Sequence, residues 1–126
     1  MTAQKMAVLR ALEEAGPTHP TAETVFVLAK RHLPSIALGT VYRNLSKMAE
    51  AGEITKIPVP DAPDRFDAEL SNHMHILCVG CGKIYDIDEN SVKVEIDNMP
   101  DGAELIRFDI MAKCLCADCK AKIKNN

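Results

Sequence analysis

With 126 residues and 47% hydrophobic content, the chain can form one medium domain or two small ones; five Phe and Tyr together and no Trp leave a modest core that would benefit from a staple. There is no signal-peptide apolar region and no run of about 18 apolar residues, so nothing points to export or a membrane, and five cysteines then suggest a reducing, cytoplasmic compartment and metal-binding thiolates rather than disulfides. The net charge of −3 hides an asymmetry: residues 1–58 carry seven Lys/Arg against five Asp/Glu, and residues 59–126 carry eight against thirteen, which suits a polyanion partner for the first half and cations or a partner chain for the second.

In chain order, the first half reads as three helices and a two-stranded turn. From Thr2 to Ala15, Val8, Leu12 and Ala15 share one face, and Gly16-Pro17 ends the segment. Pro20 suits the first position of a second helix, where Ala22, Val25, Phe26, Ala29 and Leu33 make a core-facing stripe that Pro34 stops. Ser35 is the expected N-cap of a third helix that buries Leu38, Val41, Leu45 and Met48 and closes at Gly52. Ile54 to Val59 and Arg65 to Leu70 then read as strands of a wing-like hairpin, joined by the Pro/Asp-rich stretch from Pro60 to Asp64.

The outer face of the third helix carries Thr40, Arg43, Asn44 and Lys47 at i, i+3, i+4, i+7. Such a face is most often only solvated surface. Here a helix and a short turn precede it and a hairpin follows, the arrangement in which a helix-turn-helix offers its second helix to the major groove. Arg43 and Asn44 can read base edges, Lys47, Thr40 and Tyr42 suit phosphates, and Ser35 at the helix start joins the same DNA-binding set.

The second half is β-rich. Met74 to Val79 and Lys83 to Ile87 flank a Gly80-Cys81-Gly82 turn, and Ile106, Phe108, Ile110 and Ala112 alternate with polar residues like a half-buried strand. Residues 91–99 fit a strand or a helix equally. Two Cys-x-x-Cys pairs, Cys78/Cys81 and Cys116/Cys119, supply the four sulfurs of a closed tetrahedral zinc site. The competing reading, a thioredoxin-like dithiol, wants a pair opening a helix after a strand in a βαβ pattern, which neither pair is expected to do. Cys114 is the spare thiol.

His73-Met74-His75 places two imidazoles on one side of a strand. His19, Asp67 and Asp86 are candidates to join them, and such a nitrogen and oxygen set suits Fe²⁺ or Mn²⁺ better than a thiolate cage does. A pair of strand histidines is otherwise often ordinary surface or core. His32 reads as a solvated helix-end residue.

Taken together, His19-Pro20-Thr21-Ala22-Glu23, the run from Pro34 to Leu45 containing Gly39-Thr40-Val41-Tyr42-Arg43-Asn44, Ala51-Gly52-Glu53-Ile54, Arg65-Phe66-Asp67, His73-x-His75-x-x-Cys78-x-x-Cys81-Gly82-Lys83-x-x-Asp86 and Cys116-x-x-Cys119 resemble the ferric uptake regulator (Fur) family. The resemblance implies an α+β protein. Its parts are an N-terminal winged-helix DNA-binding domain (1–60), a hinge (61–64) and a C-terminal α/β metal-binding dimerisation domain (65–126). It implies a homodimeric, metal-dependent repressor of double-stranded DNA operators rather than an enzyme. Cys78, Cys81, Cys116 and Cys119 match structural Zn²⁺ ligands, while His19, Asp67, His73, His75 and Asp86 match a regulatory Fe²⁺ or Mn²⁺ site. Asp67 resembles the peroxide-sensing (PerR-type) branch, in which Fe²⁺-driven oxidation of ligand histidines, here His19 and His73, releases DNA; iron-responsive members usually carry Glu there.

The third metal site of some members has no counterpart, since Asn72 and Met74 stand at its ligand positions. The family usually has an additional helix before the stretch that here starts at Thr2, so DNA contacts of that helix are expected to be absent or made otherwise. Cys114 replaces a usual Gly, and the segment from Asp86 to Pro100 is short, so a dimerisation helix there is expected to be reduced. Two other readings stay open: a Fe²⁺, Mn²⁺ or Zn²⁺ uptake regulator of the same family without peroxide chemistry, and a non-haem metalloenzyme with a facial triad and a substrate pocket.

Overall fold

The computed structural model describes residues 2–70 and 74–124 and divides the chain into two compact units, Met1–Ser71 and Asn72–Asn126. The division falls later than the Pro/Asp stretch 61–64, because Arg65–Asp67 is hydrogen-bonded to Thr55–Ile57 and belongs with the first unit. Backbone pairing within a hairpin outweighs the turn-rich composition that marks its loop.

The first unit holds three helices and a hairpin. Helix α1, Ala3–Ala15, starts at Thr2, whose hydroxyl accepts from the Lys5 N–H at 3.1 Å. It buries Ala7, Val8, Ala11 and Leu12. A 3₁₀ turn over Gly16–Thr18 leads to His19, which sits in the left-handed region at φ 53°, ψ 67°. Helix α2, Ala22–Ala29, is capped by Thr21, which accepts from the Thr24 N–H, so Pro20 precedes the cap instead of opening the helix.

Helix α3, Leu38–Glu50, follows Ala37 without a side-chain cap, so Ser35 lies before the helix and does not cap it. Val41, Leu45 and Met48 are buried as expected, whereas Leu38, in the first turn, is 37% exposed. The Gly52 N–H bonds the Ala49 carbonyl and the Glu53 N–H bonds that of Met48, a Schellman stop that requires the positive φ of Gly52. One apolar cluster, including Val8, Leu12, Val25, Val41, Leu45, Ile54 and Phe66, joins the three helices to the hairpin. That hairpin pairs β1, Thr55–Ile57, antiparallel with β2, Arg65–Asp67.

In the second unit β3, Met74–Cys78, is the centre of a three-stranded sheet, antiparallel to β4, Ile84–Asp86, and parallel to β5, Ile110–Cys114. Helix α4, Ala117–Lys124, closes it, where a polar tail was expected. Two further expectations shift. Residues 106–109 lie outside the strand, with Ile106 94% exposed, and residues 92–99 form neither strand nor α-helix, leaving Val94 and Ile96 exposed. Alternation makes a strand only where a partner edge accepts its hydrogen bonds, and β3 accepts them from 110 onward.

Candidate metal centres and nucleic-acid interface

The cysteines are assembled by two turns. After β3 the chain reverses so that the Gly82 N–H reaches the Cys78 carbonyl at 2.9 Å and the Cys78 N–H reaches that of Lys83 at 2.9 Å, with Gly82 left-handed at φ 77°. Cys116 follows β5, and Cys119 lies in the first turn of α4. This pair opens a helix after a strand, but no strand follows α4 among the described residues, so it is not in the βαβ setting of a thioredoxin-like dithiol, and it is half of a four-sulfur cluster.

All four sulfurs lie within 4.8 Å of one another, Cys78 to Cys119 at 3.7 Å and Cys81 to Cys116 at 4.0 Å. A tetrahedron of bonds near 2.3 Å places its sulfurs about 3.8 Å apart, so the cage fits structural zinc. Cys114 stands outside the four, half-buried on β5 opposite Cys78.

Electrostatics within the cage are uneven. The Cys116 N–H donates to the Cys78 sulfur at 3.4 Å, and this and the N–H groups of Cys81 and Gly80 hold the Cys78 thiol down at about 6 against the opposing effect of burial. Cys119 is pushed up to about 12, first by its sulfur–sulfur hydrogen bond with Cys116 and then by burial. Without metal, the cage thus mixes a ready thiolate with a reluctant thiol.

The nitrogen and oxygen candidates form a pair in each unit. In the first, His19 Nε2 and Asp67 Oδ2 are 3.4 Å apart and both residues are buried, while Asp67 Oδ1 accepts from the Glu69 N–H at 2.9 Å. In the second, His75 and Asp86 face each other across β3 and β4, with His75 Nε2 3.4 Å from Asp86 Oδ1. Neighbouring ligands on one cation with bonds near 2.1 Å stand about 3.0–3.4 Å apart, so each pair fits a shared Fe²⁺ or Mn²⁺. His73 lies outside the described residues.

The residues expected to meet DNA all lie in the first unit. Ser35, Tyr42, Arg43 and Lys47 are exposed, and Thr40 and Asn44 half-buried. Arg43 Nη2 lies 3.4 Å from Thr40 Oγ1, while Asn44 Nδ2 donates back to the Thr40 carbonyl at 2.8 Å. Beside the helix, Tyr42 and Ser46 share a cleft with Lys56, Asp64 and Phe66 of the hairpin, Lys56 pairing with Asp64 at 3.5 Å. Lys56 and Arg65 were not anticipated from sequence, because single charges on three-residue strands carry no periodic signal.

The model of the Ferric uptake regulator family matches residues 1–112. The chain belongs to that family. This Fur-family chain is 32% identical over 130 residues to the peroxide-responsive repressor PerR of Staphylococcus saprophyticus, across 97% of this chain and 83% of that protein. It is 37% identical over 86 residues to PerR of Staphylococcus aureus, across 68% of this chain and 57% of the relative. Among solved structures, the Francisella tularensis ferric uptake regulator with iron superposes with a TM-score of 0.77 at 22% identity, covering 95% of this chain and 93% of that one. The Campylobacter jejuni peroxide stress regulator does so at 0.69 and 25% identity, covering 92% and 88%. The α+β architecture expected from the Fur motifs is therefore the one found.

Proposed function

We propose that this Fur-family chain is a homodimeric, metal-dependent repressor that leaves its DNA when peroxide oxidises a histidine of its regulatory site. The observation that carries this reading is Asp67 standing 3.4 Å from His19 in the first unit, a compact nitrogen and carboxylate pair whose carboxylate lies on the hairpin strand β2. The PerR names of the most similar relatives support the peroxide reading.

In this proposal His19 and Asp67 act with His73, His75 and Asp86 on one cation, which sets the angle between the two units and so the spacing of two recognition helices in the dimer. Two such helices must meet the major groove about 34 Å apart. Metal affinity becomes DNA affinity through a coupling of about 1–3 kcal/mol. Bound Fe²⁺ would supply the reduction of hydrogen peroxide beside the ligand imidazoles. His19 and His73 are the imidazoles that take up an oxygen atom and lose their hold, and Arg43, Asn44, Lys47, Thr40, Tyr42 and Ser35 make the DNA contacts. The exposed Val94, Ile96, Leu105 and Ile106 support a partner chain for the second unit. No helix among the described residues is long and apolar enough to cross a membrane. Membership of a family of DNA-binding regulators supports a cytoplasmic location.

A gel shift against the chain's own promoter region, with Fe²⁺ or Mn²⁺ and with or without peroxide, tests the reading. Peroxide should release only the Fe²⁺-loaded protein, with one added oxygen on His19 or His73 by mass spectrometry. Release with oxidation only at cysteines would point to thiol-based sensing, and metal-dependent binding indifferent to peroxide would make it a metal uptake regulator. His19→Ala and Asp67→Ala should each abolish metal-stimulated binding and keep zinc. Turnover of a small substrate would point to an enzyme instead.

A further inference from the structure

His19 stands in an unfavourable backbone conformation. Its φ of 53° and ψ of 67° are left-handed, which non-glycine residues seldom adopt, and the following Pro20 further restricts it toward extended values. A residue held there must be held by its surroundings.

The first strand residue after the hairpin loop does the holding. Arg65 Nε donates to the His19 carbonyl, and Arg65 Nη2 lies 3.5 Å from the Thr18 carbonyl. The Phe66 N–H donates to the Pro20 carbonyl at 2.9 Å, and Thr21 and Arg65 form an isolated bridge. Asp67, two residues on and so on the same face of β2 as Arg65, meets the His19 imidazole. One short strand therefore grips His19 twice, by its backbone through Arg65 and by its side chain through Asp67.

We propose that Arg65 is a positioning residue that hangs His19 from the wing strand, so that the orientation of a regulatory metal ligand is set by the hairpin. The proposal rests on the reading of His19 as a ligand. Because Arg65 directly follows the loop 60–64, a displacement of the hairpin on a duplex reaches the ligand's backbone through one side chain, that of Arg65, and its bonds to the His19 and Thr18 carbonyls. The metal site then senses the wing.

The test uses the zinc-loaded full chain with Mn²⁺ as probe, its free ion followed by electron paramagnetic resonance, and the His19 ¹³Cα chemical shift of the protein without added Mn²⁺. Arg65→Met, which keeps the aliphatic stem, should weaken Mn²⁺ binding about 10-fold or more with zinc content and cooperative unfolding retained, the range for partners that orient a metal-binding histidine. Its His19 shift should move from the left-handed toward the extended value. Arg65→Lys, with one donor group able to reach a carbonyl, should recover part of both effects.

Wild-type Mn²⁺ affinity and an unmoved His19 shift in Arg65→Met overturn the proposal; should that variant fail to fold, the same result in Arg65→Lys does so. His19→Ala separates the two levels. If it binds Mn²⁺ like the wild type, the ligand reading fails and takes the metal part of this inference with it. If it loses Mn²⁺ and Arg65→Met does not, only the positioning role fails.

Discussion

Gly80 faces Cys119 so closely that a Cβ on the glycine would stand 2.8 Å from the cysteine sulfur and 2.9 Å from its Cβ. The first knuckle is thereby packed directly on the start of α4, and the cage closes only because position 80 has no side chain. Gly80→Ala should weaken zinc retention and destabilise the second unit by about 1–3 kcal/mol, the usual scale of overpacking. Gly39, where an added methyl would meet nothing within 4 Å, is the control: Gly39→Ala should leave zinc unchanged. Chelator competition on both variants decides it.

Zinc should be the main fastening of the second unit. Its buried apolar residues among those described are Met74, Cys78, Ile84 and Cys119, two of them ligands. Cys116→Ser should abolish zinc binding, which supplies structural sites with on the order of 10 kcal/mol. Hydrogen exchange should then lose protection over residues 74–124 while α1, α2 and α3 keep theirs. A zinc-free variant with protected β3 and β5 would contradict this.

Acid should release the zinc in two regimes. The cage needs thiolates, so metal competes with protons. Cys119, raised to about 12, keeps its proton throughout neutral pH and must surrender it, costing about tenfold in apparent affinity per pH unit. Cys78, lowered to about 6, is already ionised at neutral pH and adds a further proton only as pH falls through about 6. In the metal-free protein the signs oppose: the contribution of Cys78, with its depressed value, is present above its ordinary 9.0 and lost as pH falls through about 6, whereas that of Cys119 is present below 9.0 and lost as pH rises through about 12. Zinc affinity measured against a chelator should therefore fall more steeply below about pH 6 than above it. A flat profile from about pH 5 to 8 is the contrary result.

On DNA, Arg43→Ala should cost about 1–3 kcal/mol and relax preference at one base position, whereas Lys47→Ala should weaken all sequences alike and lower the salt slope by about 1. Asn44 already spends one of its two Nδ2 hydrogens on the Thr40 carbonyl at 2.8 Å, so Asn44→Ala should cost less than Arg43→Ala. Salt-dependent fluorescence anisotropy on operator and scrambled duplexes separates the three.

What was legible in advance follows from local physics. Helical periodicity marked Val8, Leu12, Val25, Val41, Leu45 and Met48 as core, because a 3.6-residue stripe must face apolar surface wherever it packs. Cysteine spacing announced a four-thiolate site, because a two-residue gap turns both sulfurs toward one point. Glycine at position 52 marked the end of α3, since the left-handed stop there disfavours a side chain. The family motifs carried the α+β class and the family itself.

Tertiary structure alone decided the rest. Pro20 precedes α2 instead of opening it, its carbonyl accepting from the Phe66 N–H, and β5 begins at Ile110, not Ile106, because β3 pairs with it only from there. Whether Gly80 mattered depended on what packs against it 39 residues later. That Arg65 holds the backbone of His19 depended on a contact spanning 46 residues. Spacing along a chain encodes what neighbours in sequence do together; the reach of a guanidinium to a distant carbonyl exists only once the chain has folded.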